Sequence, residues 1–182
     1  MKKHHIIIIL VLAILFPLRK VSAQDLIEAK DLAKIIKNPD VVVVSTRTLA
    51  DYKKVHITGA VHIDHITLYK DGPVRNLLKS PTEIATILGA QGISEKKTIV
   101  LYDDGSGKYA GRMYWILDYL GAPNVKILDG HMNAWRAARK PVTKNPTMVK
   151  AATFTPKVNA SLLATTSEVK GSIGKSGVVI VD

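Results

Sequence analysis

Apolar residues in this chain fall into short β-branched blocks separated by stretches with helical spacing. Val41-Val42-Val43-Val44 is apolar throughout, the pattern of a strand buried on both faces of a parallel sheet. Leu26-Ile27, Gly59 to Asp64, Thr98 to Tyr102 and Val125 to Leu128 read as further strands. Between them, Ala29 to Ile36, Thr48 to Lys54, Lys108 to Leu120 and Met132 to Ala138 read as helices. In the longest of these, Met113, Ile116, Leu117 and Leu120 point inward. Asn38-Pro39-Asp40 and Asp71-Gly72-Pro73 are turns, and Gly121-Ala122-Pro123-Asn124 stops a helix. Ser80-Pro81-Thr82-Glu83 starts one, with Ser80 as N-cap, Pro81 at the first helical position and Glu83 closing a capping box. That helix should end near Gly89. Strands alternating with helices predict an α/β fold with a mostly parallel sheet and helices on both faces. Ligands in such sheets bind beyond the carboxyl ends of the strands, where the loop after Tyr102 lies.

From Lys140 the pattern changes. Pro141, Pro146 and Pro156, among many Thr and Lys, make residues 141–160 resemble a linker. The chain then repeats its own opening. Leu162-Leu163, a helical patch at Ser167-Glu168-Val169, a Gly/Ser turn and Val178-Val179-Ile180-Val181 follow the order of Leu26-Ile27, Asp31-Leu32, Asn38-Pro39-Asp40 and Val41 to Val44, with Val178 lying 137 positions after Val41. The expected organisation is one complete domain over 24–140, a linker, and the truncated start of a second domain over 161–182.

The N-terminus reads separately. Met1-Lys2-Lys3-His4-His5 is basic, Ile6 to Phe16 is apolar, and Val21-Ser22-Ala23 offers small residues for cleavage. That order is a secretory signal over 1–23, with export to the periplasm or the medium and no stable membrane span after cleavage. An uncleaved anchor is the alternative. Removing its four cations from the formal charge of +11 leaves +7. This predicts a lysine-rich surface able to attract small anions. No Arg-rich run or aromatic-spaced basic stripe indicates nucleic-acid binding. The chain has no cysteine, so it has neither disulfides nor a thiolate metal site.

Two segments carry a family resemblance. In the first, Ser45-Thr46-Arg47, Asp51-Tyr52 and Val55-His56-Ile57-Thr58-Gly59-Ala60 follow the pattern Asp-x-Arg, Glu-Tyr, Gly-His-Ile-x-Gly-Ala, with Ser45 and Val55 departing from it. In the second, Thr98 to Trp135, the matching residues are Tyr102, Gly121, Asn124-Val125, Leu128, Gly130 and Ala134-Trp135, and His131 replaces a usual glycine. The chain resembles the rhodanese family and, given the repeat, the N-terminal half of tandem thiosulfate or 3-mercaptopyruvate sulfurtransferases. The resemblance implies a three-layer α/β/α fold with a mostly parallel five-stranded sheet. It also implies a second rhodanese domain as partner, thiosulfate-like anions as ligands, and no cofactor. In active domains of this family a cysteine ends the strand where this chain has Asp103.

That exchange bears on the chemistry. A thiolate among backbone N–H donors has a lowered pKa, attacks a sulfane sulfur and holds it as a persulfide; a carboxylate cannot. The active-site-like loop Asp103-Asp104-Gly105-Ser106-Gly107-Lys108, with Arg112, is therefore expected to be structural or an interdomain contact. The chain alone is expected to be inactive. Arg112 is expected to brace the loop by pairing with Asp103 or Asp104, its alternative being an anion contact. Lys108 is read as a solvated charge, Arg47, His56 and Gly59 as structural, and Trp115 and Trp135 as core. Tyr109 and Tyr114 are open between core and interface. His62 and Asp64 share a strand face, but two ligands are too few for a metal. Gly105-Ser106-Gly107-Lys108 is not a P-loop, because Tyr102 stands where a glycine is required. A nucleophile elbow around Ser106 fails for the same reason at Asp104, and no further carboxylates support a phosphoryl-transfer pair at Asp103-Asp104. The remaining alternatives are a cysteine-free rhodanese-like binding module and, more remotely, hydrolysis through Asp103.

Overall fold

The structure, a computed structural model, describes residues 25–181. The signal-like segment 1–23 lies outside them. Among the described residues no helix is long and apolar enough to cross a membrane.

The chain enters with β1 (Leu26–Ile27), α1 (Ala29–Ile35), β2 (Val41–Ser45) and α2 (Leu49–Lys54). Two short strands follow, β3 (His56–Ile57) and β4 (Val61–His62), then α3 (Pro81–Ala90), β5 (Thr98–Tyr102), α4 (Lys108–Tyr119), β6 (Val125–Leu128), α5 (His131–Ala137) and β7 (Val142–Thr143). Five strands form one sheet in the order β1-β6-β5-β2-β4. Every neighbouring pair in it is parallel. Alternation along the central strands divides the core in two. Val42, Val44, Ile99 and Leu101 pack on one side with Leu88, Met113, Ile116 and Leu117. Val43, Val100 and Tyr102 pack on the other with Leu32, Met132 and Trp135. Because residues on a strand point alternately to opposite faces, both faces of β2 and β5 are covered, and this is why their sequences are apolar throughout.

The capping box forms as expected. Glu83 N–H donates to Ser80 Oγ at 3.3 Å, and Ser80 N–H donates to Glu83 Oε2 at 2.9 Å. Thr48 caps α2 by accepting Asp51 N–H at its Oγ1.

The strand expected over Gly59 to Asp64 is only β4. Gly59 turns the chain at φ +85°, and Asp64 caps a 3-10 turn at His65–Leu68 by accepting Ile66 N–H. The run Val178 to Val181 pairs with no strand among the described residues and is exposed. It follows a capped helix, α6 (Thr166–Ser172), whose Val169 and neighbouring Ile173 are also exposed.

Residues 141–160 lie along the domain. β7 pairs antiparallel with β3, Ala152 N–H donates to Gly89 O, Lys157 N–H donates to Leu120 O, and Phe154 enters the core. A side chain at Gly89 or Gly121 would meet the carbonyl oxygens of Ala152 and Lys157 respectively. Gly111, in the middle of α4, has free space around its missing Cβ. Glycine in a helix interior costs about 0.5–1 kcal/mol relative to alanine. Gly111→Ala is therefore expected to raise the melting temperature by about 1–4 °C, which differential scanning calorimetry would detect.

Candidate functional site

β5 delivers Asp103 to the carboxyl edge of the sheet with its side chain fully buried. The chain then turns through Gly105 and Gly107, the latter at φ +74° as the N-cap of α4, so that four N–H groups, of Gly105, Gly107, Tyr109 and Ala110, converge on one point. Asp103 fills that point itself. Its Oδ1 accepts from Gly105 N–H at 2.9 Å and Gly107 N–H at 3.2 Å. Its Oδ2 accepts from Tyr109 N–H at 3.2 Å and Ala110 N–H at 3.3 Å. Burial opposes ionisation here, but the N–H bonds of Gly105, Ala110 and Gly107, with His131 alongside, outweigh it and hold the carboxyl below its ordinary range. A nest of N–H donors that would receive an external anion is thus satisfied by an internal one.

His131 lies under the loop. Asp103 N–H donates to its Nδ1 at 3.1 Å, which requires the Nε2–H tautomer. A cationic ring would instead direct an Nδ1–H at Asp103 Oδ1, 3.2 Å away. His131 has φ +51°, a conformation natural for glycine and uncommon for other residues. Glycine at this position in similar sequences, noted above, has its physical reason in that backbone angle.

Arg112 pairs with no carboxylate among the described residues, which corrects the expected brace to Asp103 or Asp104. The N–H groups already satisfy Asp103, and Asp104 bonds Ser106 at the loop surface. Arg112 turns the other way, donating Nε–H to Tyr69 Oη at 3.0 Å and lying 4.7 Å from the centre of the Trp115 ring. Trp115 is half-buried, packed against the edge of the core, whereas Trp135 is fully buried within it. A cleft of about 570 Å³ is lined by His65, Ile66, Tyr69, Asn76, Lys108, Tyr109 and Arg112. Desolvation lowers the His65 pKa, and Arg112 and Lys108 reinforce this against the pull of Asp64. Lys108 is exposed, as expected, and Asp104 and Ser106 hydrogen-bond to each other at the loop surface. Tyr114 is half-buried and outside the cleft.

The residues of the first motif bond their own neighbourhood. Arg47 Nη1–H donates to Val55 O at 2.7 Å and more weakly to Asp51 O. His56 is buried, stacks on Tyr52 at 3.9 Å and bonds the Tyr52 carbonyl through Nδ1. His62 Nε2 bonds Arg47 O at 2.8 Å. No group of metal-binding side chains occurs among the described residues. The Tyr69 side of the cleft left no trace in the sequence. The helical spacing of Lys108, Arg112, Trp115 and Tyr119 is the one signal of this surface in the sequence.

Residues 28–138 match the rhodanese-like domain family. The chain belongs to the rhodanese family. Its relatives carry the corresponding names. It is 32% identical over 176 residues to a probable 3-mercaptopyruvate sulfurtransferase of Pseudomonas aeruginosa, covering 88% of this chain and 62% of that protein. It is 34% identical over 112 residues to a thiosulfate sulfurtransferase of the same organism, covering 61% and 41%. With the thiosulfate sulfurtransferase of Azotobacter vinelandii it shares 31% identity over 119 residues, covering 65% and 44%. The chain therefore spans less than two thirds of the length of these relatives. Its fold is similar to that of SseA from Escherichia coli, with a TM-score of 0.77 at 22% identity over 82% of this chain and 61% of that one. The three-layer architecture and five-stranded parallel sheet of this rhodanese domain agree with that likeness.

Proposed function

We propose that this rhodanese domain is the exported, non-catalytic N-terminal half of a tandem sulfurtransferase. The observation that carries the reading is the Asp103 carboxylate, buried at the nucleophile position with four backbone N–H groups bound to it. In the intact protein a cysteine in a following domain attacks the outer sulfur of thiosulfate, releases sulfite and keeps the sulfur as a persulfide. Cyanide or another thiophile then removes it and regenerates the thiolate. The N-terminal half packs against that domain and walls its site. The apolar side chains exposed at Val169, Ile173 and Val178 to Val181 support a partner at this end of the chain, since such residues bury themselves when a core is available. The shares of 62%, 41% and 44% of the relatives' lengths agree with this.

Incubating the 182-residue chain with thiosulfate and cyanide is expected to yield thiocyanate only at the uncatalysed rate. Turnover abolished by Asp103→Asn would overturn the reading. Sequencing beyond codon 182 distinguishes the alternatives: an open frame encoding a Cys-bearing loop supports the tandem enzyme, and a stop codon there supports a cysteine-free binding module.

A further inference from the structure

The cleft beside α4 continues past Arg112. A second hollow of about 600 Å³ shares Asn76 and Arg112 with the first and extends over Leu77, Leu78, Trp115 and Tyr119, with Lys70 and Lys79 at its margin. The two lobes differ in chemistry. The first presents Lys108 and Arg112, and the Arg112 guanidinium is already oriented by Tyr69 Oη and the Trp115 ring. The second presents apolar and aromatic surface, where Trp115 and Tyr119 stack on each other with centroids 5.6 Å apart and planes 7° from parallel. No Asp or Glu lines either lobe.

An inorganic oxyanion alone would leave most of either lobe to water. An inorganic oxyanion displaces a few waters of about 30 Å³ each, a small part of either lobe. Each lobe alone is in the range of organic-ligand sites, roughly 300–1,000 Å³. The loop's N–H groups, which would have held a bare oxyanion most tightly, are taken by Asp103. What remains is side-chain cations next to aromatic surface, a combination that suits a ligand with a charged group at one end and a flat ring at the other.

We propose that the two lobes form one binding site for a small organic anion built on a planar aromatic ring. Its acidic group lies on Arg112 and Lys108, and its ring lies against Trp115 and Tyr119. This ligand differs from the sulfur donor above, so the site stands or falls independently of sulfur transfer.

The test is titration of the full chain by calorimetry and tryptophan fluorescence with phenyl phosphate, AMP, inorganic phosphate and adenosine. Trp135 is buried on the other side of the sheet, so ring binding is read at Trp115. Phenyl phosphate or AMP should bind and change the fluorescence, with inorganic phosphate and adenosine at least about tenfold weaker. AMP alone would identify a nucleotide, and both would identify aryl phosphates in general. Lys108→Ala, at an exposed position, should weaken binding about tenfold, and Arg112→Lys, which keeps the charge but loses the fork and its stacking on Trp115, should also weaken it about tenfold. The proposal is overturned if inorganic phosphate binds as tightly as the aryl phosphates, if adenosine matches AMP, or if Lys108→Ala and Arg112→Lys both leave affinity unchanged. It is also overturned if the folded chain shows no binding at about 10 mM ligand.

Discussion

Asp103→Asn is expected to destabilise the domain by about 3 kcal/mol at pH 7, a fall in melting temperature of about 6–12 °C. The amide keeps the side chain's shape but not its function. Its oxygen can still accept from Gly105 and Gly107, but its NH2 then faces the N–H groups of Tyr109 and Ala110, leaving buried donors without acceptors. The effect should depend on pH with a definite sign. The Asp103 carboxyl is lowered in the folded state, so its stabilisation is fully present above the unfolded value, near 3.9, and is lost as pH falls through the folded value. Melts of the two proteins from pH 7 downward should therefore differ widely near neutrality and converge below about pH 4. A gap that stays constant to acid pH would mean that the charge of Asp103 contributes nothing, and the loop would have to be held by other means.

The second large effect is expected at Gly121→Ala. Gly121 ends α4 at φ +78°, which costs a non-glycine residue about 1–2 kcal/mol. The added methyl would also meet Lys157 O, whose own residue donates its N–H to Leu120 O at 2.8 Å. The segment through Lys157 and Asn159, which straps the end of α4, then has to lift, loosening its bonds to Leu120 and Tyr119. Displacement adds about 1–3 kcal/mol, for a total of about 2–5 kcal/mol and a melting temperature lower by roughly 5–15 °C. Hydrogen exchange should show the largest loss of protection at Lys157 and Asn159. Loss spread evenly over the sheet would contradict the strap as the element displaced. The opposite sign at Gly111→Ala separates steric conflict from mere loss of a glycine.

The strands and helices were readable because their signals are local. Burial on both faces leaves β2 and β5 apolar, the capping box lies within four residues of Ser80, and Gly121 marks the end of α4. Gly59 to Asp64 was misread because β-branched and His residues alternate there, while the turn at Gly59 and the cap at Asp64 left only Val61–His62 to pair. The short pairing of β3 with β7 joins residues far apart in sequence and carries no periodic pattern at all. Within the site, the position of Asp103 is legible because its strand and loop resemble the family pattern. The partners of Arg112 were not identified, because a guanidinium near two aspartates suggests an ion pair until the backbone is known to have taken one of them.

The order of elements, the family and the absence of a thiol were decided by the sequence itself, because each is written in neighbouring residues or in composition. The self-filled nest at Asp103, the glycine-like backbone at His131 and the two-lobed cleft were decided only by tertiary structure. Asp103 meets His131 across 28 positions and Arg112 meets Tyr69 across 43. Contacts at such separations depend on how strands and helices pack, and hydrophobic periodicity constrains which face of an element is buried without naming the residue on the far side.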